Sequence, residues 1–236
     1  MILVAEGADW ASGQIRTILC YPVVRNMINC HVMEASSGLA KFKERLELVT
    51  ARTAEAVRRV LPIDDVDVIF YINPPLTIPE VGICGYAPTA KIVFMSLNPQ
   101  NEAFPRAFDE EIPATLAHEL HHCMRWRGPG YGKTLIEALV TEGLARDFER
   151  MLRGGKLPSY HKSFPKAQIE ELLGRASTEF SSPSYSHSDW FFGSKTRSIP
   201  ELAGYSMGYE LVQNYLFRNG KSSAELWNEP ASSFIG

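Results

Sequence analysis

The stretch "PATLAHELHHCMRW", residues 113–126, decides how this chain is read. It packs His118, Glu119, His121 and His122 into five positions, although the whole 236-residue chain has six histidines. On a helix, residues four apart point the same way, so His118 and His122 can grip one zinc ion at about 2.0–2.1 Å from each nitrogen. Glu119 lies about 100° round the helix from His118, where its carboxylate reaches a water on the metal without ligating the ion. His121 and Cys123 turn away from that pair by about 60–100° and offer no ready fourth ligand. From the chain's own composition, a chance HExxH arises on the order of once per hundred such sequences. Coincidence is a poor explanation if the stretch is helical. Asp109 as a cap, Glu110 and Glu111 near the positive end and Pro113 in the first turn predict a helix there, after a loop over 98–108.

A zinc that does catalysis needs a third protein ligand and one position left for water. Downstream, "RGPGYGK" (127–133) breaks the chain, and "TLIEALVTEGLARDFERML" (134–152) resumes as a helix that turns back beside the first. It offers two carboxylates. Glu142 is preferred, because Gly143 beside it lets two backbones approach closely, which accounts for a glycine inside a helix. Glu137 is the alternative, either steadying a histidine from behind or standing as a surface charge.

Upstream, "SSGLAKFKERLELVTARTAEAVRRVLP" (36–62) has apolar residues near helical spacing, a serine to cap it and Pro62 to stop it. "VDVIFYI" (66–72) reads as a strand, and "EVGICGYAPTAKIVFMSLNP" (80–99) as a glycine-rich turn between two strands, the second over 91–97. A helix over 165–173, a serine-rich loop over 175–188 and a last helix in "PELAGYSMGYELVQNYLFRN" (200–219) follow. Residues 1–35 fit a short helix or a strand, and Pro22 interrupts either. A helix, then strands, then helices alone predicts an α+β fold rather than a doubly wound sheet. One domain over 1–236 is expected, with a sheet-bearing lobe over 1–128 and a helical lobe over 129–236.

Composition narrows the partners. A net charge of −3 gives no basic field, so neither nucleic acid nor an anionic membrane is expected. The first residues lack the form of a signal peptide, and no apolar run is long enough to span a bilayer. Four cysteines, Cys20, Cys30, Cys84 and Cys123, form no CxxC pair and read as free thiols in a reducing cytoplasm. His31 and His161 read as surface residues.

"HELHH" followed by "TEGLA", with nineteen residues between His122 and Glu142, resembles the gluzincin metallopeptidases. With "GICGY" (82–86) and "AGYSMGY" (203–209) added, the layout resembles more closely a small family of predicted zinc-dependent proteases, over roughly 35–225. The resemblance implies a zincin-like fold, with a small mixed sheet over the HExxH helix and a helical lobe closing the cleft. It implies one zinc per chain on His118, His122 and Glu142, Glu119 as general base, and a peptide or protein as substrate. By similarity to the aminopeptidase branch, Tyr205 is the oxyanion donor, although it also belongs to an apolar stripe with Leu202, Tyr209, Val212 and Leu216. Tyr209 is a substitute, and His187 a rival donor of the thermolysin-like kind. The resemblance also makes 91–97 an edge strand that pairs with extended peptide, with Gly85 and Tyr86 in the adjoining substrate-binding loop. "GICGY" lacks the acid with which aminopeptidases grip a free amine, though Glu80 stands just ahead of it. Two other readings remain open: a zinc hydrolase of other amides or esters, and a regulatory module whose zinc, closed by a fourth ligand, merely staples helices.

Overall fold

The computed structural model describes residues 27–35 and 38–235. The readings made on residues 1–26, and the serine cap at 36–37, lie outside them. Among the described residues four strands form one sheet in the order β1-β2-β4-β3. Strand β2 (Val66–Ile72) buries Val66, Val68 and Phe70, the alternation that a half-covered sheet demands. Strand β1 (Ile28–Val32) settles the ambiguous end of the N-terminal segment as a strand, running parallel to β2. Strand β4 (Ile92–Leu97) also runs parallel to β2, while β3 (Ile83–Thr89) pairs antiparallel with β4. The sheet is therefore mixed, and the chain is α+β.

Two expectations about this block change. "ICGYAPT" is itself a strand, and the turn falls at Ala90 and Lys91 instead of the glycines. Strand β4, expected at the edge, is held on one side by β2 and on the other by β3, so on that side of the sheet, among the described residues, the edge strand is β3.

Helix α1 (Lys43–Arg58), entered through a 3-10 turn at Ala40–Phe42, and helix α2 (Phe104–Trp126) pack on the sheet and on each other. Between them lies the first core, which includes Leu46, Val57, Val68, Phe70, Met95, Phe108 and Leu116. Helix α2 begins earlier than its caps suggest. Phe104, Ala107, Phe108 and Ile112 are buried at helical spacing, and Pro105 occupies the first turn. Asp109 is therefore not a cap; it pairs with Arg45 at 2.5 Å on the surface. Pro113 sits inside the helix, where it removes one backbone hydrogen bond.

Helices α3 (Leu135–Leu152), α4 (Lys166–Ala176), α5 (His187–Phe192) and α6 (Ala203–Asn219) make the helical side. The serine-rich segment is partly ordered, since a 3-10 turn at Ser177–Glu179 extends α4 and α5 begins at His187. Helix α3 packs against both α2 and α6. Its crossing with α6 explains Gly143: a Cβ there would stand 2.1 Å from the Gly208 carbonyl oxygen, and one on Gly208 2.1 Å from that of Leu139. The close approach expected of Gly143 is thus made to α6. The C-terminal segment returns across α2, where buried Arg125 donates to the carbonyls of Trp227 (3.0 Å) and Glu229 (2.7 Å). Among the described residues no helix is long and apolar enough to cross a membrane.

Candidate metal centre

Helix α2 delivers His118 and His122 one turn apart, and their Nε2 atoms face each other at 3.0 Å. Helix α3 delivers Glu142, whose Oε2 lies 3.3 Å from His118 Nε2 and whose Oε1 lies 3.5 Å from His122 Nε2. Ligands of a tetrahedral zinc, at about 2.0–2.1 Å each, stand roughly 3.3 Å apart. The contacts here, 3.0–3.5 Å, lie near that spacing, with one Glu142 oxygen turned to each imidazole. A carboxylate oxygen of Glu119 lies within 4.8 Å of donor atoms on both imidazoles, and all four residues are buried. The donor set, two imidazoles and a carboxylate, suits zinc.

The pocket's carboxylates favour positive charge on His118. Burial disfavours a charged imidazole, yet contacts with Glu142 and Glu149 raise His118 to about 9. Burial likewise opposes a charged Glu142, but His122 and His118 hold its carboxyl well below the usual carboxylate range. Glu119 moves the other way: burial raises its pKa despite the two imidazoles. Buried Nδ1 atoms of His118 and His122 lack a hydrogen-bond partner, while Glu149 Oε2 stands 3.3 Å from that of His118. Two rings pinned at Nε2 by a cation would be free to donate from Nδ1, and Glu149 is placed to receive one of those protons.

Glu149 is itself held. Arg146 donates to its Oε2 at 2.7 Å and Arg153 to its Oε1 at 3.0 Å, and Arg153 also pairs with Glu111. Against the opposing effect of burial, Arg146, then His118 and Arg153, bring Glu149 down to about 2. Sequence reasoning missed Glu149, although it lies seven positions after Glu142 and so on the same face of α3. Glu137 is not at the centre. Its Oε2 accepts from the Lys133 and Thr134 backbone nitrogens at 2.8 and 2.9 Å, a cap on α3.

His121 points into the core, with its ring on Phe148 at 5.3 Å and its Nε2 3.1 Å from the Ser223 carbonyl oxygen. Gly85, on β3, packs against Glu119: a Cβ there would meet Glu119 Oε1 at 2.6 Å. Its missing side chain makes room for that carboxylate. Neighbouring Tyr86 is 64% exposed on the edge strand. Cys84 is pushed up to about 11 by burial and by the charges of Glu119 and Glu142.

An aromatic wall faces the centre from the helical side. Tyr205 packs edge-on against Phe191 at 5.0 Å; burial, then the charge of Glu142, pushes its hydroxyl far up. His187 stacks on Phe191 at 4.2 Å, with Nδ1 3.1 Å from the Tyr185 hydroxyl. Tyr209 faces elsewhere: its ring lies against His161 at 5.6 Å, and its charged neighbours are Arg150, Asp147 and Glu210. A residue not foreseen completes the wall. Tyr131, from the glycine-rich break, donates its phenol proton to Glu142 Oε1 at 2.5 Å. Nothing local in "RGPGYGK" marks it except that it is the one aromatic there.

Fold and site together bring two imidazoles of an HExxH helix and a carboxylate of the next helix into one buried cluster that could hold a metal ion. The chain belongs to the family described as "Predicted Zn-dependent protease (DUF2268)", whose model matches residues 46–236. It is also similar to "Uncharacterized protein YjfC" of Bacillus subtilis (strain 168), 25% identical over 229 residues that cover 86% of this chain and 75% of the relative. No solved structure matches it.

Proposed function

We propose that this chain is a zinc-dependent peptidase of the gluzincin kind, with the small mixed sheet and the HExxH helix forming the floor of its cleft. The observation that carries the reading is the convergence of His118, His122 and Glu142 to 3.0–3.5 Å, with Glu119 beside them. His118, His122 and Glu142 would hold one zinc. When bound, the ion supplies Lewis acidity, which lowers the pKa of a water and polarises a carbonyl.

The residues do the rest. Glu119 takes the proton of the attacking water and passes it to the leaving amine; its raised pKa suits a group that must hold that proton briefly. Tyr205 or His187 donates to the developing oxyanion from the aromatic wall. Strand β3 is the edge strand beside Glu119. The Ile78 nitrogen donates to its Ile83 carbonyl and Trp126 Nε1 to its Ala87 carbonyl. Between them, at residues 84–86, a substrate peptide adds to the strand through main-chain hydrogen bonds. Its outward Tyr86 contacts the substrate's side chains. The three described cysteines are free thiols, which favours a reducing compartment such as the cytoplasm.

A structural-zinc reading draws on the nearness of Glu119, which could close the ion as a fourth ligand. Glu119→Gln separates the two. As a base, Glu119 is dispensable for the metal: the variant keeps its zinc and loses about 10²–10⁴-fold in turnover of a quenched peptide. As a ligand, it is not, and the variant loses the zinc. Retained peptidase activity in the variant would refute the assigned role.

A further inference from the structure

Glu142 meets two different chemistries at its two oxygens. Oε2 lies 3.3 Å from His118 Nε2, while Oε1, 3.5 Å from His122 Nε2, also accepts the Tyr131 phenol proton at 2.5 Å. Tyr131 is not a loose side chain that happens to reach the centre. Its ring packs against His122 (5.5 Å), Trp126 (6.5 Å) and His187 (6.2 Å). The connection that carries it is fixed on its far side, where Glu137 accepts from the nitrogens of Lys133 and Thr134. Gly132, at φ +117°, lets that turn close against the Glu137 Cβ, which a side chain would meet at 2.3 Å.

A carboxylate beside a divalent ion can offer one oxygen or two. If Glu142 gave both, it would occupy the coordination position that a catalytic centre leaves for water. A phenol proton on Oε1 takes up one of that oxygen's two lone pairs and weakens it as a second metal donor, so Oε2 is left as the stronger one. We propose that Tyr131 is a positioning residue that restricts Glu142 to a single metal-facing oxygen and so keeps the remaining position open. This rests on the metal-centre reading above and deepens it: the openness of the site, usually ascribed to ligand count, here depends on one hydroxyl outside the ligand set.

The test uses cobalt(II) as a spectroscopic replacement for zinc in the full chain. Visible bands per bound cobalt are intense at low coordination number and weaken as ligands are added, and azide entering an open position shifts them. Wild type is expected to give intense bands that respond to azide. Tyr131→Phe keeps the ring and its packing, so its melting temperature should hold, but its cobalt bands should weaken and lose most of the azide response. A Tyr131→Phe spectrum identical to wild type overturns the proposal, whatever happens to activity. The failures are distinguishable: no cobalt uptake by wild type sinks the metal centre and the proposal with it, whereas uptake with an unchanged variant spectrum sinks the proposal alone.

Discussion

His121 and His122 are consecutive on α2, yet the two faces of that helix treat them as different chemical groups. His121 faces the core beneath the C-terminal segment, against Phe148 and the Ser223 carbonyl, and burial drives it down to about 3. It is a neutral packing residue. His122 and His118 face a pocket lined by Glu119, Glu142 and, behind His118, Glu149, where His118 rises to about 9. Both faces are buried to a similar degree, so burial does not decide the difference. Carboxylates do: one face supplies three and the other supplies a carbonyl and an aromatic ring.

Exchanging the two residues in turn gives the largest contrast. His122→Ala should strip the zinc and abolish turnover. His121→Ala should keep the zinc, read by elemental analysis, and lose about 2–5 kcal/mol of stability to urea through the cavity it leaves. Equal zinc loss in both would erase the distinction between the faces. A smaller effect sharpens it. Glu149→Gln leaves the ligands in place but weakens the acceptor behind His118, so zinc affinity in chelator competition should fall about 10–100-fold. An unchanged affinity would make Glu149 a mere member of the Arg146–Arg153 network.

The face carrying the histidine pair was legible in the sequence because its signal is local. A spacing of four on a helix fixes where His118 and His122 point whatever the tertiary context. Glu142 was legible for a related reason, since the glycine beside it announced a close crossing, even though the partner proved to be Gly208 on α6. What escaped depended on contacts distant along the chain. Nothing near β4 told that β2 would occupy its outer side, so the edge role belongs to β3. Tyr209 shares a helix and a spacing with Tyr205, but it turns toward His161 and away from the cleft. Tyr131 reaches Glu142 only because the break between α2 and α3 folds back over its own helix end. The start of α2 is a different case: Phe104, Ala107 and Phe108 had the helical spacing, and the attractive cap at Asp109 outweighed it.

The claim under all of this is that α3 contributes a ligand through Glu142, while Glu137, five residues earlier, contributes a cap. Zinc content of wild type, Glu142→Ala and Glu137→Ala, each purified and dialysed alike, tests it directly. The account predicts one zinc per chain in wild type and in Glu137→Ala, with the latter slightly less heat-stable, and little or none in Glu142→Ala. Equal zinc in wild type and Glu142→Ala would contradict it.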